Sequence, residues 1–125
     1  MTARRTRLVD CNPRWITESG GREGCGVMFD CPEGHEDCRH AIPLTPALDG
    51  AAHASWQHNG AVWQRSGDTF ETLTLTPSIA RRPEYESVNA ALAAGCLPEH
   101  ITPSLLCAFH GFIRDGQIEF CGDSR

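Results

Sequence analysis

Apolar and polar side chains alternate most regularly over Thr69-Phe-Glu-Thr-Leu-Thr-Leu-Thr76, a stretch loaded with β-branched residues, which predicts a strand ended by Pro77. A second strand is predicted over Cys25-Gly-Val-Met-Phe-Asp30, after a flexible turn region at Gly20, Gly21 and Gly24. Ala41-Ile-Pro-Leu44 reads as extended and residues 45–54 as irregular connection. Asn59-Gly60 lies between two short apolar runs, residues 54–58 and 61–65, and predicts a hairpin pairing Trp56 with Trp63, because Asn-Gly tolerates the positive φ angles of a two-residue turn. Asp115-Gly116 predicts another, with Arg114 facing Gln117, Ile113 facing Ile118, Phe112 facing Glu119, Gly111 facing Phe120 and His110 facing Cys121. The one helix signal is Ser87 as a cap to residues 88–94, closed by Gly95. The expected fold class is mainly β, a small antiparallel sheet with hairpins and one short helix.

At 125 residues, without an internal repeat or low-complexity linker, the chain reads as an N-terminal basic arm over residues 1–20 and one β-rich, metal-binding domain over 21–125. The formal charge of -5 argues against nucleic-acid binding, since the basic cluster is confined to Arg4, Arg5, Arg7 and Arg14. No run approaches the ~20 apolar residues of a membrane span and no apolar run follows the start, so the expected location is cytoplasmic, with no membrane partner.

Seven cysteines change the picture, because in a reducing compartment such a cluster points to metal or reactive thiols rather than disulfides. Cys31-Pro-Glu-Gly-His35-Glu-Asp-Cys38-Arg-His40 and Cys107-Ala-Phe-His110, with Cys121 across the hairpin, supply the thiolates and imidazoles that zinc prefers. The preferred ligands of one zinc ion are Cys31, Cys38, Cys107 and His110, with His35, His40 and Cys121 as substitutes, in a zinc-ribbon-like site. Residues three apart on a regular strand face opposite ways, so Cys107 and His110 share an ion only if the chain makes a knuckle between them. The alternative is that these are buried free thiols and ordinary polar histidines, and that is the reading for Cys11, Cys25 and Cys96.

No catalytic residue is assigned. Glu33, Glu36 and Asp37 could serve as a general base beside a zinc-bound water, but carboxylates in a polar loop are usually solvated. The hydroxyls of Thr72, Thr74, Thr76 and Ser78 read as the solvated face of a strand, with Pro77 and Ser78 shaping a turn. Arg65, Asp68, Arg81 and Arg82 read as solvated, and Trp56 and Trp63 as core or interface anchors.

Trp63-Gln-Arg-Ser-Gly-Asp-Thr-Phe-Glu-Thr-Leu-Thr-Leu-Thr-Pro-Ser-Ile79 and His110-Gly-Phe-Ile-Arg-Asp-Gly116 together resemble a family of small proteins of tailed bacteriophages and prophages, a domain of unknown function. Some members carry the label ammonia monooxygenase, which nothing in this chain supports. The resemblance covers residues 25 to 122 and implies a zinc-binding β domain encoded in phage genomes. Similar domains also appear beside bacterial ubiquitin-like conjugation genes. The family pattern brings its first ligands together as Cys-Pro-x-Cys, and the longer loop here leaves His35 or His40 to replace Cys38. The expected function is a zinc-stabilised, non-enzymatic interaction module that binds a host or virion protein. The competing expectations are a small zinc-dependent hydrolase with an open metal position and a thiol-reactive protein using Cys107 or Cys121.

Overall fold

The computed structural model describes residues 4–17, 24–45 and 62–125. Their strands are β1 (Arg5–Arg7), β2 (Arg14–Ile16), β3 (Gly26–Asp30), β4 (Arg39–Thr45), β5 (Trp63–Ser66), β6 (Thr74–Thr76), β7 (Ile79–Ala80), β8 (His110–Arg114) and β9 (Gln117–Phe120). They form one sheet of order β1-β9-β8-β7 and another of order β2-β3-β4-β5-β6. All pairings are antiparallel except β4 with β5. The fold is mainly β, as the pattern predicts.

One apolar cluster draws on both sheets. Val27 and Phe29 from β3, Ile42 and Leu44 from β4, and Leu75 from β6 meet Ile79, Ile113 and Ile118, with Leu8, Leu73 and Phe109 from the connections. Strand alternation explains the choice: in β8, Gly111 and Ile113 are buried, whereas His110 and Phe112 are half-buried and Arg114 exposed.

The β8–β9 hairpin has the expected register, Gly111 to Phe120 through Arg114 to Gln117. Asp115 and Gly116 take φ values of 48° and 72°, as a two-residue turn of this kind demands. A Cβ on Gly116 would stand 2.6 Å from the carbonyl oxygens of Phe70 and Glu71, so the position excludes larger residues on packing grounds too. Ser87 Oγ accepts from Ala90 N at 3.0 Å and caps α1 (Val88–Ala93), and Gly95 follows at a φ of 98°. A second one-turn helix, α2 (Pro103–Leu106), was not signalled by periodicity.

Two expectations change. The alternating stretch begins as a turn, and only Thr74–Thr76 is strand. The Thr69 and Thr72 hydroxyls lie 2.8 Å apart and Thr72 N donates to Thr69 O at 3.2 Å, so side chains that favour strands instead close a local loop. The Asn59-Gly60 hairpin lies outside the described residues, and β5 has β4 on one side and β6 on the other. Residues of the expected basic arm form strands: β1 pairs with β9, and β2 pairs with β3 while Trp15 stacks on Phe70 at 4.5 Å.

Candidate active site and metal centre

The β3–β4 connection is a tight loop. Cys31 N donates to Cys38 O at 2.9 Å and Gly34 N to Cys31 O at 2.9 Å, which turns both sulfurs to one side. Cys107 arrives from the end of α2. Ligand atoms of Cys31, His35, Cys38 and Cys107 lie within 4.8 Å of one another, and the three cysteines are buried. These four residues could hold a metal ion.

The distances suit that chemistry. Two thiolates on a tetrahedral zinc, with bonds of ~2.3 Å, stand about 3.8 Å apart; Cys31 Sγ and Cys107 Sγ are 3.7 Å apart. His35 Nδ1 is 3.3 Å from Cys31 Sγ. His40 lies behind the cluster, its Nε2 3.8 Å from Cys107 Sγ and 4.0 Å from Cys38 Sγ, packed between Phe29 and Phe109. The hydrogen bond from Cys107 holds the Cys31 thiol far below its ordinary range, and the same bond, with burial, pushes Cys107 up. Burial raises Cys38 as well. Three thiols and an imidazole gathered this closely make a donor set that suits a metal cation. Arg81 Nη1 stands 3.1 Å from Cys38 Sγ and its Nη2 donates to Ser104 O at 3.0 Å, which ties the segment after β7 to the cluster.

His110 is not in that group. Residues 107–109 enter β8 extended, without the expected knuckle, so Cys107 and Phe109 are buried while His110 belongs to the outer row. There its Nδ1 lies 2.7 Å from Asp123 Oδ1 and its Nε2 3.4 Å from Ser78 Oγ. A carboxylate only accepts hydrogen bonds, so Nδ1 donates to Asp123, and in the neutral ring this leaves the Nε2 lone pair facing the Ser78 hydroxyl. The hydrogen bond from His110 holds the Asp123 carboxyl below its usual range. Cys121 also leaves the buried cluster and groups with His110 and Asp123.

Two members of this serine, histidine and aspartate row, Ser78 and His110, are held from outside it. Trp63 Nε1 donates to Ser78 O at 3.2 Å, holding the segment that follows Pro77. Ser124 Oγ accepts from His110 N at 2.9 Å and donates to Glu33 Oε2. Glu33 accepts from both Arg4 nitrogens, at 2.7 and 2.9 Å. Glu33 is thus committed to Arg4 and Ser124 and is not a free base beside the cysteines. Its carboxyl is held below the usual range by Arg4 first. The unfolded chain therefore binds the proton more readily, so this contribution to stability is complete above the ordinary carboxylate value of 4.5 and is lost as pH falls through the lower folded value. Glu33→Gln is expected to flatten the loss of stability below that pH, measured by urea unfolding at a series of pH values.

A cleft of about 270 Å³ is lined by Thr74, Leu75, Thr76, Pro77, Phe112, Arg114 and Asp115, and none of Ser78, His110 and Asp123 lines it. Pro77 precedes Ser78, and Phe112 shares the His110 face of β8. The sequence pattern offered one sign of Ser78, its place in the Pro-Ser segment of the Thr-rich run, and that segment was read as a turn. Asp123 gave no sign, because its partner depends on how the chain bends after β9.

No helix among the described residues is long and apolar enough to cross a membrane. No curated protein and no solved structure matches the chain. A family model does match, over residues 4–121, and describes a bacterial ubiquitination-like system serine protease, BubE. This overturns the expected non-enzymatic interaction module and weighs against the leaning away from an enzyme, and the family's description makes no reference to phage or prophage. With nearly its whole length covered, the chain belongs to the BubE family of bacterial ubiquitination-like system serine proteases.

Proposed function

We propose that the protein is a serine peptidase that cleaves a polypeptide of a bacterial ubiquitination-like system, with Ser78 as nucleophile, His110 as general base and Asp123 as the group that orients it. The observation that carries this reading is the continuous contact from Asp123 Oδ1 to His110 Nδ1 and from His110 Nε2 to Ser78 Oγ. The family description supplies the setting.

The chemistry follows from those contacts. The substrate places its scissile carbonyl carbon against Ser78 Oγ, and part of its chain can occupy the cleft lined by Pro77 and Phe112. The Ser78 proton passes to His110 Nε2 as the oxygen attacks, and the Asp123 carboxylate stabilises the imidazolium that forms. His110 then gives the proton to the departing amine, leaving an acyl ester on Ser78. A water molecule repeats the sequence, its proton taken by Nε2, and the ester bond breaks to return the Ser78 hydroxyl. The 3.4 Å between Oγ and Nε2 is at the long end for a hydrogen bond and shortens when substrate closes over the row.

The second part of the reading is structural. Cys31, Cys38, Cys107 and His35 would hold one zinc ion in a closed four-ligand site, which supplies cross-linking and no reacting water. The ion would join the β3–β4 loop to the chain entering β8, three residues before His110. Arg81 extends the same anchoring toward Ser78.

An acyl ester with a chromogenic leaving group, such as p-nitrophenyl acetate, tests the acyl-transfer reading without knowledge of the natural substrate. Wild-type protein is expected to release a burst close to one nitrophenolate per chain, and His110→Ala to show none. An equal burst from both proteins would contradict the assignment.

A further inference from the structure

His110 has a third neighbour that acyl transfer leaves unused. Cys121 N donates to His110 O at 2.8 Å, which sets the two residues side by side at the mouth of the hairpin, and Asp123 follows two residues later. One ligand atom from each of His110, Cys121 and Asp123 lies within 4.8 Å of the other two. The group shares no residue with the buried cysteine cluster. Cys121 and His110 are half-buried and the Asp123 side chain is 75% exposed, so an ion can arrive from solvent.

We propose that His110, Cys121 and Asp123 form a second, reversible site for a borderline divalent cation such as zinc, and that occupancy switches the catalytic row off. The inhibitory half of this rests on the reading of Ser78, His110 and Asp123 as catalytic; the site itself rests on the donor geometry. A thiolate, an imidazole nitrogen and a carboxylate oxygen are all zinc donors, and three protein ligands leave the fourth position to water.

The imidazole donor is Nδ1, the nitrogen that faces Asp123. Without the ion, Nδ1 carries the ring proton and Nε2 faces Ser78 with a lone pair. When the ion takes Nδ1, the Cys121 thiol proton leaves to solvent and the ring proton moves to Nε2. Asp123 exchanges its hydrogen bond for a bond to the ion. The step involves no oxidation or reduction, and it leaves Nε2 without a lone pair to accept the Ser78 proton. A single coordination event therefore removes the general base and its orienting carboxylate together.

Full-length protein in its purified, metal-loaded form, dialysed against micromolar zinc, provides the test. Wild type is expected to retain one zinc per chain more than Cys121→Ala by elemental analysis. The two proteins should hydrolyse p-nitrophenyl acetate equally without added zinc, whereas Cys121→Ala should need about tenfold or more additional zinc for the same inhibition. Equal zinc content and equal inhibition in both proteins would overturn the site. An extra ion bound by wild type without loss of hydrolysis would overturn the switch. If wild type hydrolyses nothing, the catalytic reading fails, and the difference in zinc content alone decides whether the site stands.

Discussion

Ser78→Ala lowers kcat/KM for polypeptide cleavage by roughly 10⁴-fold or more while leaving the fold in place. The side chain is half-buried and, among the described residues, its hydroxyl bonds only to His110, so removing it opens no core cavity. The carbonyl that Trp63 holds belongs to the backbone and survives the change. Circular dichroism and urea unfolding should therefore match wild type within about 0.5 kcal/mol, as for substitutions outside cores and networks. Asp123→Asn is expected to cost less than Ser78→Ala, because the Asp123 carboxylate is 75% exposed and its field is screened by water. Retention of wild-type turnover by Ser78→Ala, measured as initial rates on the same polypeptide, would remove the nucleophile from the account.

The second large effect separates the two sites that share a cysteine-and-histidine appearance in the sequence. Cys107→Ser, or prolonged chelation, is expected to remove the proposed structural ion, leaving buried thiols and His35 without the charge that would hold them together. Losing a structural metal removes folding free energy directly, here on the order of 5 kcal/mol, which for a domain of this size lowers the midpoint of thermal unfolding by about 20 °C. Hydrolysis should fall with it, because the segment entering β8 carries both Cys107 and His110, and Arg81 ties the segment after Ser78 to Cys38. His110→Ala should behave in the opposite sense, keeping the structural zinc and the unfolding midpoint and losing hydrolysis. Elemental analysis and differential scanning calorimetry on the two variants check this directly. Equal loss of the structural zinc in both would place His110 among the ligands after all.

That contrast also marks how far the sequence carries. The β8–β9 hairpin and the capped helix α1 were legible because their signals are local: Asp115-Gly116 sets its own turn, and Ser87 caps residues three positions away. The cysteines were legible as a group because their chemistry is scarce and their spacing short, and Cys31, Cys38 and Cys107 do stand together. His110 was misleading. Its distance of three residues from Cys107 resembles ligand spacing, but extended chain sends the two side chains to opposite faces, and the period of the strand decides.

Ser78 and Asp123 were harder for a different reason. Hydroxyls and carboxylates are common on surfaces, and these two lie 32 and 13 residues from His110, so only the pairing of β7 with β8 and the bend after β9 bring them to it. The alternating run over residues 69–76 failed at its start because Thr69 and Thr72 bond to each other and to local backbone, an option that apolar periodicity does not weigh.

The central claim is that His110 activates Ser78, and the most direct measurement is covalent trapping. Intact protein treated with a fluorophosphonate and digested for mass spectrometry should carry one adduct, on Ser78, formed by wild type and Asp123→Asn but not by His110→Ala. No adduct on Ser78, or an adduct that forms at the same rate when His110 is replaced, would contradict the account.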